Sequence, residues 1–326
     1  MRSLVGAGAG LGMAVLAGLV TAAPAQYRPP AHTQPAPLVG NASPGEVALL
    51  AELGTSIERD RSATEELAEH RRLDTALAQL RPGRHGVVEA FVVVAALDSD
   101  AVFGREAREA GRVLTRRYAA AGHSIVLAGS DGSAPSTLPM GSLQNIGIAL
   151  ARIAELMGKE DVLVLYTTSH GAPFGVVYND GDHGFGAMSP TRLWSILQQL
   201  GIENRLLLIS ACYSGVFVPM LASDTTAILT ASSSDRTSFG CRADSDWTFF
   251  GDAMINHALR QPQPLATAAA AAGTLIGGWE AHGTLTPSQP QTSIGAKTAW
   301  LATLEAHLPA ATPMVGRPAV TALNRP

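Results

Sequence analysis

Five short apolar runs, most of them followed by a stretch with helical spacing, constrain this chain more than any other feature. Residues 87–97, 124–128, 162–168, 206–210 and 227–231 are rich in Val, Ile and Leu and show little polar alternation. Strands apolar on both sides need cover on both sides, which is the situation in a parallel sheet clothed by helices. Residues 105–121, 143–157, 189–200, 249–259, 265–279 and 296–308 supply the helical patterns. Ser189-Pro190 reads as a cap followed by a first-turn proline. The expected fold class is therefore α/β, a sheet of mostly parallel strands between helical layers. In such sheets the chemistry gathers at the carboxyl ends of the strands.

Two of those ends carry reactive side chains. The run at 162–168 delivers His170-Gly171, and the run at 206–210 delivers Cys212. A free thiol has a pKa of about 8.5, so at neutral pH little of it is the nucleophilic thiolate. An imidazole alongside can take the proton, stabilise the charge and later protonate a leaving amine. Gly171 has no side chain, so its amide can approach a substrate carbonyl and act with the Cys212 amide as an oxyanion hole. Plainer readings stand beside this one. A cysteine after a buried strand can be a small core residue, a histidine can be structural, and Cys212 can be closed in a disulfide with Cys241. Ser214-Gly215 raises a serine nucleophile, although A-C-Y-S-G is not the G-x-S-x-G elbow.

The rest of the chain narrows the field. Its formal net charge is -4, with no basic stripe, so nucleic acid is not an expected partner. Two cysteines cannot make a disulfide framework. Residues 1–25 read as a signal peptide, with Arg2, an apolar run at 4–20 and Ala23-Pro24-Ala25 as the cleavage site, so the chain is expected to be exported. The rival reading is an uncleaved anchor, for which the run is short and rich in glycine. The glycines at 6–12 imitate a dinucleotide fingerprint but lack the preceding strand and the later acidic residue. Residues 26–45 form a Pro- and Ala-rich linker, and 46–85 a helical extension that fits equally a packed element and a pro-segment. Residues 86–310 make the catalytic domain and 311–326 a tail. Asn179-Asp180-Gly181-Asp182-His183-Gly184 is a turn rather than a calcium loop, since it has no distal Glu. The four tryptophans are core or rim residues.

Several segments together resemble the legumain family of cysteine peptidases, in particular its bacterial, signal-bearing branch. DVLVLYTTSHG at 161–171 and LLLISACYSG at 206–215 resemble its His-Gly and Ala-Cys-x-Ser-Gly motifs. ILTASSSDRTSFGC at 228–241, FFGDA at 249–253 and SQPQTSIG at 288–295 extend the likeness. The resemblance implies a caspase-like three-layer αβα sandwich and peptide-bond hydrolysis needing no metal or organic cofactor. It implies His170 and Cys212 as the dyad and Gly171 as the oxyanion glycine. Arg105, Ser210, Thr237, Ser238 and Asp252 fall on positions lining the specificity pocket. Ser210 and Ser169 stand where legumains carry acidic residues, and no asparagine in 98–103 matches the one that orients their histidine. The expected activity is a cysteine endopeptidase acting on peptide or protein substrates, with an asparaginyl preference to be tested. The alternatives are a transpeptidase using the same dyad and a catalytically silent binding domain.

Overall fold

The structure is a computed structural model that describes residue 33, residues 42–129 and residues 136–324. The expected signal peptide and most of the expected linker lie outside these residues. In chain order the elements are α1 (Pro44–Glu52), β1 (Ser56–Glu58), α2 (Ala63–Ala78), β2 (Ala90–Ala96), α3 (Ala101–Arg117), β3 (Ser124–Leu127) and α4 (Leu143–Leu156). There follow β4 (Val162–Thr168), β5 (Gly171–Ala172), β6 (Gly175–Asp180), β7 (Gly184–Met188), α5 (Pro190–Gln199), β8 (Arg205–Ser210), α6 (Val218–Leu221) and β9 (Thr226–Thr230). The last are α7 (Leu265–His282), β10 (Gln291–Ile294) and α8 (Ala299–Glu305).

The main sheet has six strands in the order β10-β9-β8-β4-β2-β3. Every pairing is parallel except β10 on β9. Successive residues of each central strand face opposite layers. On β2, Val92 and Val94 join α3 and α7 in one core, while Phe91 and Val93 join α4 and α5 in the other. Tyr166 and Leu165 on β4, and Leu208 and Leu207 on β8, divide in the same way. The result is a three-layer αβα sandwich with a mostly parallel sheet, as the apolar runs require. The Ser189-Pro190 start of α5 forms as expected, the Ser189 hydroxyl accepting from the Arg192 amide at 3.1 Å.

Two features depart from the expected pattern, and the turn expected at 179–184 forms within the first of them. The segment between β4 and α5 holds a meander, and a second sheet runs β1-β7-β6-β5. The turn at 179–184 is the β6–β7 hairpin, with Gly181 at φ 57°. The helix expected over 249–259 is a π-helix at Gly251–His257 followed by a 3-10 turn. Gly251 lies against the Glu106 carboxylate with no room for a Cβ.

The helical extension packs on the domain. β1 pairs antiparallel with β7, and Leu73 and Leu80 are buried in the core with α4. Arg61 meets the buried Asp180 carboxylate at 2.5 Å, and Glu58 accepts from the Tyr178 hydroxyl at 2.7 Å. The Glu69 carboxylate accepts from the Met140 amide at 2.8 Å and the Asn145 side chain at 2.9 Å. Buried polar groups with such partners are costly to expose one at a time. The tail is tied down as well: the Val315 carbonyl accepts from the Trp247 indole at 2.9 Å, and Ala319 is buried. Among the described residues no helix is long and apolar enough to cross a membrane.

Candidate active site

β4 and β8 are parallel neighbours whose register aligns Thr168 with Ser210. His170 and Cys212 each follow that aligned pair by two residues, so both leave the sheet on the same rim, about 4.8 Å of strand spacing apart. The ladder continues one step further, the Ser169 amide donating to the Ser210 carbonyl at 3.2 Å. The Ser169 hydroxyl donates to the Val177 carbonyl at 2.6 Å, tying the histidine strand to β6. Gly171 then passes so close to the Cys212 backbone that a Cβ would sit 2.9 Å from both its nitrogen and its carbonyl carbon.

The sulfur is seated in polar contacts. The Ser238 amide donates to Cys212 Sγ at 3.2 Å, and the Ser238 carbonyl lies 3.5 Å away. Cys212 and Cys241 are both free and half-buried. A hydrogen bond from Cys241, opposed by burial and helped by the Ser238 amide and the His170 charge, lowers the Cys212 pKa to about 6. Tyr213 follows at φ 57°, a left-handed conformation rare for a tyrosine, which bends the chain sharply after the thiol. Its amide donates to the Arg236 carbonyl at 2.8 Å.

His170 has an acidic neighbour that the sequence reading missed. Asp100 occupies the N-cap position of α3 but makes no capping bond with its side chain. Instead one carboxylate oxygen lies 3.6 Å from His170 Nε2, with the histidine side chain 43% exposed. That distance is an ion-pair contact, longer than a good hydrogen bond. The Asp98 carboxylate, nearly buried, accepts from the Asp100 amide at 2.8 Å. The Phe103 ring meets the imidazole edge-on, with centroids 5.0 Å apart. The Asp100 carboxylate raises the His170 pKa against the opposing effect of burial, with the charges of Asp98 and Cys212 adding to it. Asp98, Asp100 and His170 also present ligand atoms within 4.8 Å of one another and could hold a cation.

A raised histidine pKa and a lowered thiol pKa leave a pH window in which thiolate and imidazolium coexist. Thiol reactivity should climb as pH passes the Cys212 pKa near 6. Protonation-dependent turnover should fall as pH rises through the elevated His170 pKa. Asp100→Asn removes the charge that raises it, so the alkaline limb of kcat/KM is expected to move to lower pH. An unmoved limb would show that Asp100 does not act on the imidazole.

The remaining predicted residues separate into two groups. Ser238 borders the sulfur, and Thr237 beside it is exposed. Arg105 commits its guanidinium to the Ala243 carbonyl at 2.7 Å and to the Ser245 carbonyl, so it braces the loop that follows Cys241. Ser210 is buried and bonds to Glu106 at 3.0 Å and Thr248 at 3.1 Å rather than lining an open pocket. Asp252 is fully buried. It accepts from the Ala319 amide at 2.7 Å and from Asn256 at 2.8 Å, so it anchors the C-terminal segment rather than a substrate. Ser214 is buried too, and its hydroxyl accepts from the Ser232 amide at 3.2 Å.

A mostly parallel α/β sandwich with a low-pKa thiol and an imidazole on adjacent strand ends supports cysteine peptidase activity. Residues 148–272, which span both side chains, match the model of the Peptidase C13 family. Among solved structures, caspase-1 from Spodoptera frugiperda aligns with a TM-score of 0.42 at 13% identity, covering 63% of this chain and 85% of the caspase. No curated protein matches the sequence.

Proposed function

We propose that the chain is an exported cysteine endopeptidase in which Cys212 is the nucleophile and His170 its acid and base. The observation that carries this reading is the β4–β8 register, with Thr168 opposite Ser210, which sets the two side chains on one rim. The Cys212 thiolate attacks the scissile carbonyl. Negative charge then grows on the carbonyl oxygen, where the Gly171 and Cys212 amides donate to it. His170, its Nε2 turned to Asp100, protonates the leaving amine from Nδ1 and later takes a proton from the water that frees the acyl group. Ser238 and Thr237 border the entrance beside the sulfur.

A thiol-directed probe tests the core of this reading. Iodoacetamide should label Cys212 in the folded chain near pH 7, and His170→Ala should abolish that selectivity. Cys212→Ala should lower turnover of a peptide library by at least about 10⁴-fold. A folded chain whose thiol is inert in the presence of His170 would support a binding domain instead. Retained turnover in Cys212→Ala would move the nucleophile elsewhere. Enrichment of asparagine before the cut would extend the legumain likeness from chemistry to specificity.

A further inference from the structure

Arg108, Arg112 and Arg116 of α3 line a groove of about 650 Å³ between that helix, β3 and the segment at 137–138. Residues i, i+4 and i+8 of a helix share one ridge, so the three arginines stand in a row, about 6 Å of axis apart. The floor is apolar. Val126 of β3 and Leu138 are half-buried there, packed against the core that α3 covers. Gly111 lets helix and strand close up, since a Cβ on it would lie 2.5 Å from Val126 Cγ2. β3 is the edge strand of the main sheet, so the groove lies at the sheet's margin.

The wall of this groove is cationic. Arg108 donates to the Ala128 carbonyl at 3.0 Å and to the Ser136 hydroxyl at 3.4 Å, which fixes its guanidinium. Arg116 donates to the Ala310 carbonyl at 3.3 Å, a neutral acceptor that leaves its charge uncancelled. Arg112 pairs with Glu109, but the same carboxylate also serves Arg260. The Arg112 and Arg116 side chains are exposed, and among the described residues no carboxylate lines the groove. The whole chain carries a formal net charge of -4, so the row is a local reversal of sign.

We infer that the groove docks an extended acidic segment of a partner protein, in which acidic and apolar residues alternate. Along an extended strand, side chains on one side repeat roughly every 6.6 Å. Against the arginine row the mismatch is about 1 Å over three residues, well within the reach of an arginine side chain. Successive carboxylates can thus each meet a guanidinium, whose planar fork accepts both oxygens. The strand turns its intervening residues the other way, where Val126 and Leu138 offer an apolar surface. Single-stranded nucleic acid fits less well, because among the described lining residues none is aromatic and able to stack a base. The docking chemistry makes no use of the thiol or the imidazole.

The experiment reads fluorescence anisotropy of labelled octapeptides on the full chain carrying Cys212→Ala, so that no probe is consumed. An alternating Glu-Val peptide should bind, and its Lys-Val counterpart should not. A peptide of four Glu followed by four Val has the same composition and should bind at least about 5-fold more weakly, because its carboxylates lose the alternate spacing. Arg112→Ala with Arg116→Ala should weaken the alternating peptide at least about 10-fold, the scale of two lost charge-assisted contacts. Arg112→Lys with Arg116→Lys keeps the charge without the fork and should fall in between. Arg71→Ala with Arg152→Ala removes equal charge from α2 and α4, which cover the opposite face of the sheet, and should bind like the unaltered surface. Equal affinity for the two Glu peptides, or equal losses in the two alanine pairs, would overturn the inference. Capture of oligothymidylate at Arg112 and Arg116 in place of the alternating peptide would overturn it too. Binding is read without turnover. A chain that cleaves peptides but ignores this probe loses only the groove, and one with an inert thiol that still binds it loses only the peptidase reading.

Discussion

Gly171→Ala is expected to lower kcat/KM by roughly 10²–10³-fold, the size of effect seen when an oxyanion donor is lost. The reason is space. A Cβ at Gly171 would fall within the van der Waals shell of the Cys212 carbonyl oxygen and 2.9 Å from that residue's nitrogen and carbonyl carbon. Those are backbone atoms, so no side-chain rotation relieves the contact. Either the β5 backbone retreats, taking the Gly171 amide with it, or the Cys212 turn opens. Both outcomes displace a donor by a fraction of an ångström in a reaction that is steep in distance. The accompanying loss of stability should be about 1–3 kcal/mol, as for overpacking elsewhere. Turnover of a peptide substrate with a melting curve on the same sample separates the two effects. Unimpaired turnover in the alanine variant would remove Gly171 from the oxyanion hole.

Glu106→Ala is expected to destabilise the fold by about 3–5 kcal/mol, the usual cost of removing one partner from a buried charged network. The Glu106 carboxylate is fully buried on α3. It accepts from Tyr166 at 2.6 Å, Thr168 at 2.7 Å and Ser210 at 3.0 Å, and from the Thr248 amide at 2.8 Å. Truncation leaves three hydroxyls and an amide without their acceptor in a place water does not reach. Burial and the Glu106 charge together already raise the Tyr166 pKa well above the ordinary range, so this phenol remains a donor. For a domain of this size the melting temperature should fall by on the order of 10 °C. Glu106→Gln, which keeps the shape but replaces one acceptor by a donor, should cost less, about 1–3 kcal/mol. An unchanged melting temperature in the alanine variant would show that the network contributes nothing net.

Glu106 also explains a feature the sequence leaves puzzling. Ser210 stands where the legumain likeness calls for an acid, yet a carboxylate lies 3.0 Å from its hydroxyl. The acidic side chain beneath the dyad strands is supplied by Glu106 of α3, more than 100 positions before Ser210 in the chain. Asp100 is the same kind of case. The stretch Asp98-Ser99-Asp100 falls between the expected strand at 87–97 and the expected helix at 105–121, and in the fold Asp100 takes the N-cap position of α3, where a capping bond is the usual role. Its missing cap bond and its contact with His170 are facts of packing. Conversely, Arg105 and Asp252 fall on pocket positions by motif, but in the fold one braces a loop and the other holds the C-terminal segment.

The sequence by itself determined the layered α/β architecture and the two reactive strand ends. Continuous apolar runs can be satisfied only between two helical layers, and the residue following such a run emerges at the rim. Which strands become neighbours, and in which register, is set by long-range pairing that no local pattern encodes. The same holds for β1, whose partner β7 lies more than 100 residues further along the chain, whereas β5, β6 and β7 pair with their sequence neighbours. The partners of each reactive group were decided there too. Asp100 for the imidazole, Ser238 and Cys241 for the sulfur, and Glu106 beneath both meet only once the sheet has closed and the helices have packed against it.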